Sequence, residues 1–344
     1  MTEILILTAL EVEREAIEKN IKDVEIINHQ STGTDYKKGK YTRADGNTVN
    51  IILGRTDQTN VNVALETERA LEYFKPKYVF FSGVAGGLKD VKVGDVVIGS
   101  NVIGIERGKA EEGNFKFRPQ FGASSYDLER LASNYASSEE WKVRAKSLLD
   151  SEFGSEINVL TGTIASGEKV DASIKSDLHQ HIKQNASHAL AIEMEGLGFL
   201  EVCRMRPLIK SLLLRGISDM VDDKSLMDSK GSQPYASQNV SAFLFGLLDN
   251  IVIDDLGTAS PKVQLTEIMS KLYPAGLRDN GIWEAAGGNL ALINLNQTGK
   301  AQWVEAIRVL SNGGGGSVSA KSLLTSVSED YTGNRDVLNL LKLM

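Results

Sequence analysis

Carboxylates and glycines gather in four short segments, each of which follows or closes an apolar run. The segments are Thr8–Glu13 (TALEVE), Ser82–Leu88 (SGVAGGL), Ala191–Gly196 (AIEMEG) and Leu214–Asp219 (LRGISD). Open α/β sheets bind ligands at the carboxyl ends of their strands, so we expect the four segments to meet in one cleft. A carboxyl group buried there has a raised pKa and can act as a general acid or base.

The order of these segments resembles the signature of the nucleoside phosphorylase/nucleosidase superfamily, most closely its methylthioadenosine/S-adenosylhomocysteine nucleosidase branch. The combination of A-L-E-x-E, G-x-A-G-G-L, E-M-E and I-S-D carries the resemblance, which extends over about Met1–Ile253. It implies an N-glycosidase, a hydrolase that breaks the bond between a purine and its ribose, with adenine as the first candidate base. It implies neither a cofactor nor a catalytic metal.

Two carboxylates match the catalytic residues of that family. Cleavage of the bond leaves a ribosyl cation and a purine that must be protonated, usually at N7, and Asp219 matches the general acid. Glu13 matches the base that positions water, with Glu11 behind it. Each has a plainer alternative: Asp219 as the N-cap of the next turn, and Glu13 as an acid favoured by the helix dipole.

The substrate contacts implied by the resemblance come from the same segments. Glu195 matches the residue that accepts hydrogen bonds from both ribose hydroxyls, and Glu193 is the weaker partner. The family often has a hydroxyl side chain where this chain has Val84, and the difference favours hydrolysis over phosphorolysis. The substrate-binding candidates here are Glu195, Met194, Glu193, Val84, Ala85, Gly86 and Ser218, with residues 83–88 expected to form a glycine-rich turn.

A further segment, Ser166–Asp171 (SGEKVD), departs from the nucleosidase branch. An aromatic residue that stacks on adenine is expected there, but this chain has Val170, preceded by Lys169. Basic residues in other loops, namely Arg55, Arg107 and Lys109, with Arg118 further along, add to Lys169. Arg and Lys are the usual partners of phosphate, so the set predicts a phosphorylated substrate, with ATP as a candidate. The alternative is solvated surface charge.

The periodicity of the first 250 residues predicts an α/β fold, a largely parallel mixed sheet covered by helices. Apolar runs predict strands at Glu3–Thr8, Thr48–Gly54, Tyr78–Gly83, Val96–Ile105, Val159–Ile164 and Ile209–Ile217. Helical spacing appears at Glu11–Asn20, Asn60–Phe74, Tyr126–Glu152 and Ala236–Ile253. Strands separated by helices favour parallel pairing.

Near Asp254–Pro261 the composition becomes acidic, small and Pro-containing, which is typical of a linker. We therefore expect a catalytic domain over residues 1–255 and a small all-α domain over 261–344. Helical spacing recurs at Lys262–Leu272, Gly299–Leu310, Val318–Val327 and Arg335–Leu343. The stretches LYP, GIWEAAGG, TGKAQW, GGGG and YTGN resemble the effector-associated domains of bacterial conflict systems. That resemblance implies a partner protein with a related helical adaptor domain; a plain helical extension that aids oligomerisation is the alternative.

The charge and composition of the chain argue against several classes of function. The net charge is −7, and from Lys262 onward eight basic residues are balanced by seven acidic ones. Without a basic face, nucleic-acid binding is not expected. We expect no membrane span and no signal peptide, and together with the single Cys203 this predicts a cytoplasmic protein, which we expect to be a homo-oligomer. His179 and His181, two apart on a helix, do not face each other, so no metal site is predicted.

Three functions remain open at this stage. The leading one is a purine nucleosidase that acts as an effector in a bacterial antiphage system. A phosphate-dependent purine nucleoside phosphorylase differs from it in requiring phosphate. A nucleotide-binding sensor is the non-enzyme alternative, and Glu13, Glu195 and Asp219 argue against it because a binding module has no use for a general acid.

Overall fold

The computed structural model describes residues 3–112, 114–138, 140–147, 156–171, 173–221, 227, 230–251 and 261–342. The chain divides into two compact units, Met1–Val252 and Ile253–Met344. Residues 254–260 of the predicted linker lie outside the described part. No helix in the described ranges is both long and apolar enough to cross a membrane.

The N-terminal unit alternates strands and helices. Its strands are β1 (Glu3–Thr8), β2 (Lys22–Asn28), β3 (Asp35–Thr42), β4 (Thr48–Arg55), β5 (Tyr78–Gly87), β6 (Val96–Gly104), β7 (Gly108–Glu111), β8 (Asn114–Phe117), β9 (Gln120–Ala123), β10 (Val159–Ser166), β11 (Ala191–Glu193) and β12 (Lys210–Met220). Its described helices are α1 (Glu11–Glu18), α2 (Asn60–Phe74), α3 (Tyr126–Ala136), α4 (Glu140–Ser147), α5 (Asp177–Asn185), α6 (Gly196–Arg204) and α7 (Ser232–Asn250).

One mixed sheet forms the centre of this unit, in the order β11-β10-β6-β12-β5-β1-β4-β3-β2, with β9 paired to β6. The pairs of β1 with β4 and β5, of β5 with β12, and of β10 with β6 and β11 are parallel. Ile4, Leu5 and Ile6 of β1 are fully buried, as expected for a strand covered on both faces. The predicted α/β class and mixed sheet are confirmed.

The central strands are longer than the sequence predicted, and this changes the local structure of the site. The expected glycine-rich turn over residues 83–88 is wrong for residues 83–87, because these continue β5 and pair with β12 and β11. Ser218 and Asp219 likewise lie inside β12. The register of β12 against β5 shifts between Ile217 and Asp219, so Ser218 is an extra residue. Such a bulge re-aims the neighbouring side chains.

The other differences have local causes. The helix predicted over Tyr126–Glu152 is interrupted, since α3 ends at Ala136 and α4 begins at Glu140. The antiparallel pair β2 and β3 was not predicted, because β2 is an exposed, charged edge strand without an apolar face. Helix α2 has the predicted bounds; Val63, Thr67, Ala70 and Leu71 give it a buried stripe at helical spacing.

The C-terminal unit is helical, as expected. Its helices are α8 (Pro261–Leu272), α9 (Ile282–Ala285), α10 (Gly299–Ser311), α11 (Ala320–Asp330) and α12 (Arg335–Lys342), with short 3₁₀ turns at Asp279–Gly281 and Leu290–Leu292. Trp283 and Trp303 are fully buried with ring centroids 6.2 Å apart, and the Trp303 Nε1–H donates to the Tyr273 carbonyl at 2.9 Å. These residues give the unit a core of its own.

Candidate active site

A cavity of about 320 Å³ lies where β1, β5, β11 and β12 bring their functional segments together. Its lining includes Glu13, Val84, Ala85, Gly86, Lys169, Val170, Glu193, Met194, Glu195, Ser218 and Asp219, all selected from the sequence. Other residues of the lining had no role assigned from the sequence, namely Ala9, Leu10, Gln58, Asp171, Ile192 and Gln233. The four segments that open the sequence analysis thus share one cavity.

Glu13 is held by the start of α1 and by β5. Its Oε2 accepts hydrogen bonds from the backbone N–H groups of Ala9 and Leu10, both at 2.8 Å, and its Oε1 accepts one from the Val84 N–H at 2.8 Å. The side chain is buried, and this burial raises the pKa of Glu13, while Arg215 acts in the opposite direction. Glu13 is therefore a fixed carboxyl group beside β5, unlike a solvated acid of a first helical turn.

Arg215, which the sequence analysis left without a role, is fully buried behind the cavity. Its Nη2 donates to Oε2 of Glu193 at 2.6 Å and contacts Oε2 of Glu195 at 3.3 Å. The guanidinium lies 4.6 Å from the ring centre of Phe81. A Cβ on Gly83 would lie 2.3 Å from Arg215 Nη1 and 2.8 Å from Glu13 Oε1, so position 83 admits only glycine.

Glu193 shapes the turn at the start of α6. Its Oε2 accepts hydrogen bonds from the backbone N–H groups of Glu195 at 3.0 Å and Gly196 at 2.6 Å, besides that from Arg215. Because this oxygen accepts three hydrogen bonds within the protein, Glu193 orients the residues around Glu195. We refer to residues 193–198 as the 193–198 turn.

Glu195 is buried and belongs to a crowded group of carboxylates. Burial raises its pKa to about 8; Arg215 opposes the shift, while Glu193 and Glu13 add to it. A carboxyl group in this state gains strongly from any ligand that donates hydrogen bonds or carries positive charge, because both favour the ionised form.

Asp219 is 1% exposed and faces the cavity from the bulge in β12. The hydroxyl of Ser218 donates to Asp219 Oδ2 at 2.7 Å and lies 3.4 Å from the Ala85 carbonyl. A Cβ on Gly86 would lie 3.4 Å from Asp219 Oδ1. This is an ordinary van der Waals distance, so the carboxyl group leaves room for a small side chain at position 86.

Another side of the cavity is formed by Lys169, Val170 and Asp171, and we call the segment 167–171 that carries them the 167–171 wall. Lys169 and Val170 are exposed at its mouth, with Lys169 Nζ 3.9 Å from Glu106 Oε1. Asp171 is buried at the inner end, where Ser176 donates to its Oδ1 at 2.8 Å and His179 Nδ1 lies 2.9 Å from its Oδ2. The wall is thereby anchored to the start of α5.

Three predicted phosphate contacts do not line this cavity: Arg55, Arg107 and Lys109. Arg55 pairs with Glu11 at 3.1 Å and Asp57 at 3.4 Å on the surface. Lys109 pairs with Glu111 at 2.9 Å within the β7–β8 hairpin, which Arg107 precedes. Among the described residues, Lys169 is thus the member of this basic set that lines the cavity, and the other three lie outside its lining.

Comparison with known proteins places these features in context. The chain is 31% identical over 235 residues to ATP nucleosidase Cap17 of Escherichia coli strain KTE188, covering 64% of this chain and 46% of that protein. It is 26% identical over 267 residues to a death domain-containing ATP nucleosidase of Amphimedon queenslandica, covering 72% of this chain and 48% of that protein. The chain thus spans about half the length of these two relatives.

A solved structure supports the same relationship. The 5′-methylthioadenosine/S-adenosylhomocysteine nucleosidase of Helicobacter pylori, in complex with butyl-thio-DADMe-Immucillin-A, aligns with a TM-score of 0.59 and 25% identity, covering 73% of this chain and 99% of that one. The family model of the phosphorylase superfamily matches residues 3–249, which include every strand described above. The chain belongs to the phosphorylase superfamily.

Proposed function

We propose that the cavity hydrolyses the N-glycosidic bond of a purine nucleoside or nucleotide, with adenine as the base. One observation carries the proposal: Glu13, Glu195 and Asp219, distant in sequence, line one cavity at 4%, 5% and 1% exposure. Breaking this bond requires a proton for the base, a partner for the cationic sugar and a base for water. Three sequestered carboxyl groups supply all three.

In this scheme Asp219 donates a proton to N7 of the leaving purine. The Ser218 hydroxyl holds one oxygen of Asp219, at 2.7 Å, so that the carboxyl group keeps one orientation. A fixed acid in a buried site transfers its proton without first reorganising solvent.

Glu195 accepts hydrogen bonds from the two ribose hydroxyls. As the bond breaks, positive charge develops on the ring, and this charge is stabilised by a carboxylate whose pKa of about 8 reflects burial among other acids. The stabilisation is largest in the transition state, which is what accelerates the chemical step.

Glu13 takes the proton of the water that attacks C1′. Its two oxygens accept three backbone hydrogen bonds, which fix the carboxylate and favour its ionised form against burial. The guanidinium of Arg215 acts on Glu13 in the same direction.

Charge favours hydrolysis over phosphorolysis. The cavity is lined by Glu13, Glu193, Glu195, Asp171 and Asp219, while the buried cation Arg215 is already paired with Glu193 and Glu195. Inorganic phosphate placed among these groups would meet like charge. Val84 adds no hydroxyl to bind it.

The 5′ substituent is proposed to point towards the mouth, where Lys169 is the available cation. A 5′-phosphate chain, as in ATP, would gain from this lysine and remain in high-dielectric surroundings away from the buried carboxylates. The relatives named as ATP nucleosidases support a nucleotide as substrate.

The test is Asp219→Asn assayed for base release by chromatography, with Asp127→Asn as the matched control. Asp127 is an exposed acid that pairs with Lys210. We expect base release to fall about 10²–10⁴-fold for the Asp219 variant, the usual contribution of one general acid, with the control unchanged. Wild-type turnover by Asp219→Asn would contradict the assignment.

The C-terminal unit is proposed to be an adaptor that binds a protein with a related helical domain and recruits the enzyme as an effector against phage. It has its own buried core around Trp283 and Trp303, and the relative from Amphimedon queenslandica is named for a death domain. Since its charge is nearly balanced, recognition depends on shape and local charge pairs.

A further inference from the structure

Asn60, the first residue of α2, links two sides of the cavity through its side chain. Its Nδ2 donates to the carbonyl of Gly167 at 3.1 Å. Its Oδ1 accepts hydrogen bonds from the N–H of Gly198 at 2.8 Å and from the hydroxyl of Ser166 at 3.1 Å. Gly167 begins the 167–171 wall and Gly198 ends the 193–198 turn, so one amide group bonds to both.

The approach of α2 to the turn is too close for a larger residue at position 198. A Cβ on Gly198 would lie 2.1 Å from the backbone oxygen of Asn60. Ser166 reinforces the junction, since its Oγ also lies 3.4 Å from the N–H of Leu197. The start of α2, the end of β10 and the start of α6 therefore meet at a tightly packed junction.

The backbone before Asn60 adopts a costly conformation to reach this position. Asp57 and Thr59 have φ angles of 59° and 85°, in the left-handed region that residues with a side chain rarely occupy. Such conformations persist where the surrounding structure enforces them, and they cluster at functional sites. Gln58, between the two, lines the cavity. The strained loop delivers both Gln58 to the cavity and Asn60 to the junction.

The far end of the wall is held separately. Asp171 is bound by Ser176 and His179 at the start of α5. The Glu193 carbonyl accepts from the Gly167 N–H at 3.1 Å, so the backbone contact between wall and turn lies beside the Asn60 amide. Asn60 therefore acts where the two sides approach each other.

We propose that Asn60 is a positioning residue that fixes the 167–171 wall relative to the 193–198 turn. This inference rests on the proposed function for its catalytic consequence. The wall carries Lys169, the proposed partner of the 5′ substituent, and the turn presents Glu195 to the ribose. Holding the two at one separation keeps the glycosidic bond aligned with Asp219 and Glu13. A misplacement of about 1 Å in such a geometry costs up to about 10²-fold in rate.

The experiment compares Asn60→Ala with Asn185→Ala in the full-length protein. Asn185 is a matched control because, among the described residues, its side-chain amide bonds to His181 within α5. Hydrogen exchange measured by mass spectrometry should be faster in peptides covering 166–171 and 193–199 of Asn60→Ala, and unchanged there in Asn185→Ala. Accelerated exchange in neither peptide, or in one alone, overturns the proposed link.

The Asn60→Asp variant distinguishes the hydrogen bond to the wall from the hydrogen bond to the turn. The carboxylate keeps acceptors for the Gly198 N–H and the Ser166 hydroxyl, but it has no donor for the Gly167 carbonyl. Faster exchange is therefore expected in the wall while the turn stays protected. Loss of protection in the turn as well contradicts the proposed bonding pattern.

Kinetics test the catalytic consequence. For base release by Asn60→Ala we expect kcat to fall about 10- to 100-fold with a smaller change in KM, and partial recovery in Asn60→Asp. Equal kcat for variant and wild type, with the exchange changes present, overturns the positioning role. If the wild-type protein releases base from no purine nucleoside or nucleotide, the proposed function is wrong. The exchange measurements still test whether Asn60 connects the 167–171 wall to the 193–198 turn.

Discussion

Replacing Arg215 by Met removes the buried cation while keeping an apolar stem of similar length beside Phe81. The guanidinium is fully buried and pairs with two carboxylates, Glu193 at 2.6 Å and Glu195 at 3.3 Å. Removing one partner of a buried ion pair costs about 3–5 kcal/mol, because the remaining charge is left without compensation. We therefore expect a large loss in the free energy of unfolding of the N-terminal unit.

The size of this loss depends on pH, and the sign follows from Glu195. Its pKa is raised from 4.5 to about 8 in the folded protein, so the folded state binds more protons than the unfolded state between these values. Stability of the wild-type protein therefore falls as pH rises through this window. Arg215 lowers the pKa of both Glu195 and Glu13. Without Arg215 the pKa values of both carboxyl groups rise further. At a pH above the window, each additional pKa unit lowers the free energy of unfolding by about 1.4 kcal/mol.

The loss for Arg215→Met should thus be smaller near pH 5, where Glu195 is protonated in either protein and only the pair with Glu193 is lost, and should reach about 3–5 kcal/mol near pH 9. Urea titrations read by hydrogen exchange in peptides of β5 and β12 measure the N-terminal unit alone. Arg206→Met is the control, since Arg206 pairs with exposed Glu68 and Glu72 and such pairs contribute about 0–1 kcal/mol. An Arg215→Met loss that is the same at pH 5 and pH 9 would refute the reasoning.

Three further substitutions or deletions test other parts of the account. Glu195→Gln should lower kcat by about 10²-fold. It should also remove the fall in kcat/KM that we expect of the wild type as the pH drops below about 8. If the variant keeps this fall, another group is responsible for it. Lys169→Met should slow nucleotide cleavage more than nucleoside cleavage. The control Lys183→Met, which removes an exposed lysine away from the cavity, should affect neither reaction. Equal effects of Lys169→Met on both substrate classes would contradict the proposed contact with phosphate. Deleting residues 261–344 should preserve catalysis in vitro and abolish protection of cells against phage; loss of catalysis would make the C-terminal unit part of the enzyme.

The sequence predicts the elements whose pattern is local. The run Glu3–Thr8 is apolar and bounded by polar residues, and the predicted strand has the observed bounds. The helix predicted over Asn60–Phe74 also has the observed bounds of α2. Strand β2 carries no such pattern, because its residues Lys22–Asn28 face solvent at the sheet edge.

The acidic residues of the candidate site could be predicted from the sequence, whereas the residues that position them were harder to predict. Asp219 and Glu195 stand in segments whose order along the chain is itself distinctive. Arg215 had one signal, a charged residue within an apolar strand, which indicates a buried partner. Asn60 had none, since its role arises from the meeting of α2, β10 and α6, which no local spacing encodes. Arg107 and Lys109 were selected by their charge and by their position after a strand end, and neither signal predicts the β7–β8 hairpin in which Lys109 lies.

The measurement that most directly tests the central claim follows the oxygen of the attacking water. The wild-type protein is incubated in H₂¹⁸O with adenosine, methylthioadenosine, AMP or ATP, with and without phosphate, and the sugar and base are analysed by mass spectrometry. The account predicts free adenine and a sugar with one ¹⁸O at C1′, formed at the same rate without phosphate and lost in Asp219→Asn. A sugar 1-phosphate that forms only when phosphate is added, or intact substrate under every condition, would contradict it.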